Sequence, residues 1–127
     1  MCWDAVRPPA LEQEFTVECG RLRPGVPVVR ARGRLDRVTG GELRRAVDRC
    51  LKDLPRAVVV DLTGVTELRA GAVAKLARMA EHVQTDCIGL HFVTKGGVVD
   101  GLLAGGPFGD RLVIHHGIAA VQGALGR

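Results

Sequence analysis

Apolar and polar residues change their spacing several times along the chain, and each spacing predicts an element. In residues 14–19 (EFTVEC), Phe15, Val17 and Cys19 alternate with Glu14, Thr16 and Glu18, the period of two of a half-buried strand. Arg23-Pro24-Gly25 reads as a turn. Residues 26–32 then set valines and Ala31 against arginine, so a second strand closes a hairpin. Gly33-Arg34-Leu35-Asp36 leaves that strand, and Thr39, with Glu42 three residues on, offers a capping box for a helix. Leu43, Ala46, Val47, Cys50, Leu51 and Leu54 form a continuous helical stripe, and Pro55 follows where its missing amide does no harm.

Ala57-Val58-Val59-Val60 is uniformly apolar and ends at Asp61-Leu62. Lying between two helical segments, it reads as a strand buried on both faces. Val73, Leu76, Ala77, Ala80 and Val83 give residues 70–84 a helical period, and residues 88–94 (IGLHFVT) read as a further strand. Glycines bracket a short helix around Val98–Leu103; Leu112-Val113-Ile114 is a last strand, and residues 117–125 a final helix with Ile118, Val121, Ala124 and Leu125 inward. Residues 1–12, with Pro8 and Pro9, carry no period and read as a tail before a domain spanning 13–127. The order β-β-α-β-α-β-α-β-α predicts an α/β fold: a mixed, mostly parallel sheet with an N-terminal β-hairpin and four helices. A length of 127 residues fits one domain.

Composition narrows the chemistry. Hydrophobic residues make up 46% of the chain and charged residues 25%, which excludes a fully disordered chain. No apolar run approaches the ~20 residues of a membrane-spanning helix, so no membrane insertion is expected. Three Phe, one Trp and no Tyr leave an aliphatic core and no base-stacking platform. The formal charge is +4, and its excess lies between Arg21 and Arg37. On a strand, Arg30, Arg32 and Arg34 alternate onto one face, either a solvated face or a phosphate-binding stripe; no specific nucleic acid is expected. Cys2, Cys19, Cys50 and Cys87 show no metal spacing. With no secretory pattern at the start of the chain, they read as free thiols in a cytoplasmic protein; Cys50 reads as a small core residue.

No catalytic constellation stands out. His115 and His116 adjoin on a strand end and face opposite sides; His91 lies mid-strand and His82 on a helix, all read as structural. Asp36 and Asp61 come without a nucleophile or a metal spacing, and the paired glycines at 96–97 and 105–106 read as turns rather than phosphate cradles. No cofactor and no metal are expected.

Two segments together carry a resemblance. Gly33-Arg34-Leu35-Asp36-Arg37-Val38-Thr39 followed by Leu43 resembles the G-x-L-D-x-x-T-x-x-x-L signature of STAS domains, in the anti-sigma factor antagonist family. Val58 through Thr66 resembles that family's central strand and the start of its regulatory loop, and Gly117-Ile118 falls where the family opens its last helix. The resemblance spans roughly residues 14–125. It implies a non-catalytic protein-interaction module that binds an anti-sigma factor or related regulator, with partner-binding residues at Asp36, Thr39, Thr66, Glu67, Leu68, Arg69, Ala70 and Gly71.

The family's loop continues as aspartate, serine, a phosphorylated Ser or Thr, and glycine. Here those positions hold Arg69, Ala70, Gly71 and Ala72, and Glu67 replaces the usual apolar residue before them. Gly71 has no hydroxyl, so phosphorylation is not expected at the family position; Thr63 and Thr66 are the nearest alcohols in the chain. A fixed cation at a helix N-terminus costs about 0.3–1 kcal/mol when exposed, and Glu67 can offset it by pairing with Arg69. The alternative reading is a STAS-type accessory subunit or ligand- or nucleotide-binding module of a transport or other assembly.

Overall fold

A computed structural model describes residues 15–85, 88–97, 99, 101 and 113–125. Among these residues five strands, β1 (Thr16–Arg23), β2 (Val26–Leu35), β3 (Ala57–Leu68), β4 (Gly89–Val93) and β5 (Val113–His115), form one sheet in the order β1-β2-β3-β4-β5. The β1–β2 hairpin is antiparallel and the other three pairings are parallel. Among the described residues three helices are complete enough to bound: α1 (Arg37–Leu51), α2 (Ala70–Thr85) and α3 (Ile118–Leu125). The α/β class, the hairpin and the mostly parallel sheet are those the periods predict. The fourth helix, expected around Val98–Leu103, lies largely outside the described residues, as does the 1–12 tail.

The sheet separates two cores. On one face Val29, Ala31 and Leu35 of β2 and Val58, Val60 and Leu62 of β3 pack with Phe92 of β4 beneath α1 and α2. On the other, Val26, Val28, Ala57, Val59 and Val93 are covered by Val121 of α3. β3 is buried on both faces at 57–60, as its unbroken apolar run requires.

Several boundaries differ from the sequence reading, each for a physical reason. β2 continues through Leu35 and β3 through Leu68. Along the end of β3 the buried apolar residues are Leu62, Val65 and Leu68, a spacing of three rather than two. Two register shifts explain it: Arg30 to Arg32 spans Asp61 to Gly64, and Gly33 to Arg34 spans Val65 to Glu67. Each inserts one extra residue in β3, a bulge that turns period two into period three. Gly33 takes φ of 100 beside the second shift, a conformation that suits glycine.

Helix α1 stops at Leu51, not Leu54. Pro55 disfavours helical backbone in the residue before it; Leu54 takes φ of 49 and is 80% exposed rather than inward. Cys19, expected on the buried face of β1, is exposed at the sheet edge, and Ala124 of α3 is exposed as well.

Candidate functional site

The residues named by the resemblance converge at the carboxyl ends of β2 and β3. Leu35 pairs with Leu68, and the Arg69 amide donates to the Leu35 carbonyl at 2.9 Å. The start of α1 and the start of α2 therefore meet. A Cβ built on Gly71 would lie 3.1 Å from the Arg37 Cβ, and one on Gly40 would lie 3.6 Å from the Ala72 Cα. Gly71 is thus a spacer between two helix starts as well as a position without a hydroxyl.

The cap of α1 is Asp36, one turn earlier than the expected Thr39. Its Oδ1 accepts from the Val38 and Thr39 amides, both at 2.9 Å. Thr39 is the reciprocal partner: its Oγ1 accepts from the Asp36 amide at 2.8 Å and donates to the Arg34 carbonyl at 2.9 Å. The Thr39 amide, above all, holds the Asp36 carboxyl below its ordinary pKa; desolvation opposes it, and the Thr39 hydroxyl, the Val38 amide and the Arg34 charge add to the lowering. Asp36 and Thr39 are thereby committed to local structure, with Asp36 half-buried at the rim of the tip.

Glu67 sits between two arginines. Its Oε2 meets Arg34 Nε at 2.7 Å, and its Oε1 meets an Arg69 guanidinium nitrogen at 2.8 Å. The carboxylate thus offsets the cation beside the start of α2. The Arg69 carbonyl accepts the Ala72 and Val73 amides at 3.0 and 3.2 Å. Arg69, Ala70 and Gly71 are exposed, Leu68 is buried, and Thr66 is exposed on β3. Thr63 differs: its hydroxyl donates to Asp61 Oδ1 at 2.7 Å and its amide to the same oxygen at 2.9 Å.

The sequence does not signal a pairing away from the tip. His91 Nδ1 and His115 Nε2 lie 3.0 Å apart across β4 and β5, with ring centroids 5.2 Å apart. That centroid spacing is the hydrogen-bond length plus the two ring radii, so the nitrogens point at one another and share a proton rather than converging on a third atom. Burial, then the neighbouring His115, holds the His91 pKa down. Cys50 is half-buried, and burial raises its thiol pKa. Among the described residues no group of three metal-ligating side chains gathers, and no helix is long and apolar enough to cross a membrane.

Arg30, Arg32 and Arg34 do share one exposed face. Arg30 faces Asp61 at 3.4 Å and Arg34 faces Glu67, so two of the three are paired across the strands.

Comparison with known proteins agrees with this architecture. An anti-sigma factor antagonist from Mycobacterium paratuberculosis superposes with a TM-score of 0.74 at 24% identity, over 88% of this chain and 94% of that one. The anti-sigma factor antagonist SpoIIAA in its unphosphorylated form gives 0.70 at 10% identity, over 88% and 98% of the two chains. The phosphorylated Bacillus SpoIIAA gives 0.64 at 8% identity, over 86% and 99%. No curated protein matches the sequence. The family described as "Mlab, STAS domain" matches residues 20–104. A match over that much of the chain, on the fold those neighbours share, shows that the protein belongs to the STAS domain family.

Proposed function

We propose that this STAS domain is a non-catalytic interaction module that docks an anti-sigma factor or related regulatory protein, without control by phosphorylation at residue 71. The observation that carries the reading is the joined tip. Segments 35–39 and 67–71 are tied by the Arg69–Leu35 hydrogen bond and by the Arg34–Glu67–Arg69 ion network, and they present exposed Arg69, Ala70 and Gly71. The structural neighbours described as anti-sigma factor antagonists support the choice of partner class. The tip holds a preset charge pattern where the family carries a hydroxyl, so its affinity is constant rather than switched.

The test uses the full chain, the anti-sigma factor kinases of the same organism, and ATP. One of these kinases binds in calorimetry, Arg69→Glu weakens it by about tenfold or more, and intact mass shows no phosphate within residues 67–72. The variant's thermal unfolding is followed alongside to confirm folding. Equal binding by wild type and variant, or a phosphate mapped to the tip, overturns the reading. Capture of a transport ATPase subunit in place of a kinase moves the chain to the accessory-subunit alternative.

A further inference from the structure

The face of the sheet that carries α3 is only half covered. Val26 and Val28 of β2 lie under Val121, but the same face continues as Arg30, Arg32 and Arg34 with no helix above it among the described residues. Between this row and the end of β4 lies an open cleft of about 410 Å³, lined by Arg30, Arg32, Asp61, Thr63, Gly64 and Lys95. We propose that this cleft is a binding site for a phosphate dianion, free or borne by a small phosphorylated molecule. It is separate from the docking tip and does not rest on the partner reading.

Charge is the first argument. Three cations and one carboxylate line the cleft, and the carboxylate is already engaged. Asp61 is buried, accepts two hydrogen bonds from Thr63 on Oδ1, and faces Arg30 with Oδ2. Asp61 therefore orients Arg30 as well as partly neutralising it. Arg32 and Lys95 have no ion pair among the described residues. The surplus is two positive charges, which matches a dianion and leaves a carboxylate ligand one charge short.

Backbone geometry is the second argument, and it is independent. Arg32 stands opposite Gly64 in the register, at the first bulge of β3. A Cβ at 64 would lie 2.7 Å from Arg32 Cγ, 3.3 Å from its Cβ and 3.3 Å from the Ala31 carbonyl oxygen. Only a glycine lets the arginine stem lie across β3. Strand and glycine together seat a guanidinium that neutralises nothing in the described fold.

The shape selects the ligand class. A concave, mostly polar cleft of this volume falls in the small-molecule range and offers little apolar surface for a hydrophobic ligand. The planar fork of Arg32 matches two phosphate oxygens. A nucleic-acid backbone needs a continuous row of free cations, whereas Arg30 and Arg34 on either side of Arg32 are paired.

The experiment is an amide-resolved NMR titration of the full chain with inorganic phosphate and, separately, with glycerol 3-phosphate, each against sodium chloride at equal ionic strength. Saturable shifts at the Thr63, Gly64 and Lys95 amides are expected at pH 7.5, weakening at pH 5.5 as the dianion takes up a proton. Arg32→Ala and, independently, Lys95→Ala each lower the affinity by about fivefold or more, while Arg44→Ala on α1 leaves it unchanged. Tighter binding of the ester points to a phosphorylated metabolite, and tighter binding of inorganic phosphate points to the free ion. Shifts no larger than those in chloride, or variants that both titrate like the wild type, overturn the proposal.

Discussion

Asp36 holds two amides with one oxygen, and that places its charge on the stability of the whole chain. Its carboxyl pKa lies below the ordinary 3.8 in the folded state. The unfolded chain therefore takes up this proton first as pH falls. The contribution is complete above the ordinary value and is lost as pH drops through the folded value. Asp36→Asn keeps an acceptor for the Val38 and Thr39 amides but removes the charge. The variant should lose less stability than the wild type between about pH 5 and pH 2, measured by urea unfolding at a series of pH values. Parallel profiles for the two proteins would mean that the cap gains nothing from ionisation. At the same scale, Glu67 shows why an arginine is tolerated beside the start of α2: one carboxylate meets Arg34 and Arg69 at 2.7 and 2.8 Å.

Among the elements, β3 is the one whose form matters most. Its two bulges carry the strand past the end of its regular ladder, so that it reaches Leu68 and delivers Glu67 and Arg69 to the tip. The β4–β5 pairing brings His91 and His115 onto one face and into one hydrogen bond. Because the folded His91 pKa lies below the ordinary 6.5, the unfolded chain binds more protons as the solution is acidified. Stability should therefore be complete above about pH 6.5 and decline as pH falls through the lowered value. His91→Asn should flatten that decline. Unfolding curves at pH 7.5 and 5.5 decide it, and an unchanged slope in the variant would place the acid sensitivity elsewhere.

At the scale of the molecule, the sheet is unequally clothed. Two long helices seal one face, while the eight-residue α3 seals the lower half of the other. Val121 is fully buried there. Val121→Asp places an unpaired carboxylate among Val26, Val28, Val59 and Val93, at a cost on the order of 3 kcal/mol. The larger core under α1 and α2 does not touch that side chain. Hydrogen exchange should therefore show α3 losing protection well before α1. Simultaneous loss in both helices would mean that the two cores unfold as one unit. The same unequal coverage leaves the polar cleft open beside α3.

Much of this was legible in the linear chain. The helical stripe of Leu43, Ala46 and Val47, the doubly buried run 57–60 and the alternation of Arg30, Arg32 and Arg34 follow from periodicity, because each reports a face that must be wet or dry. The joined tip was legible only through the family signature, since its two halves are about thirty residues apart. Other features needed the third dimension. On paper Thr39–Glu42 is the capping pair; pairing with β3 carries β2 through Leu35 and makes Asp36 the cap, with Thr39 as its reciprocal partner. The end of β3 hid because bulges replace a period of two by one of three. The His91–His115 bond and the Arg32–Gly64 contact join residues on separate strands, so they exist only once register is set. Local pattern determines which element forms and which side of it is dry, while long-range pairing decides where elements end and which polar groups meet.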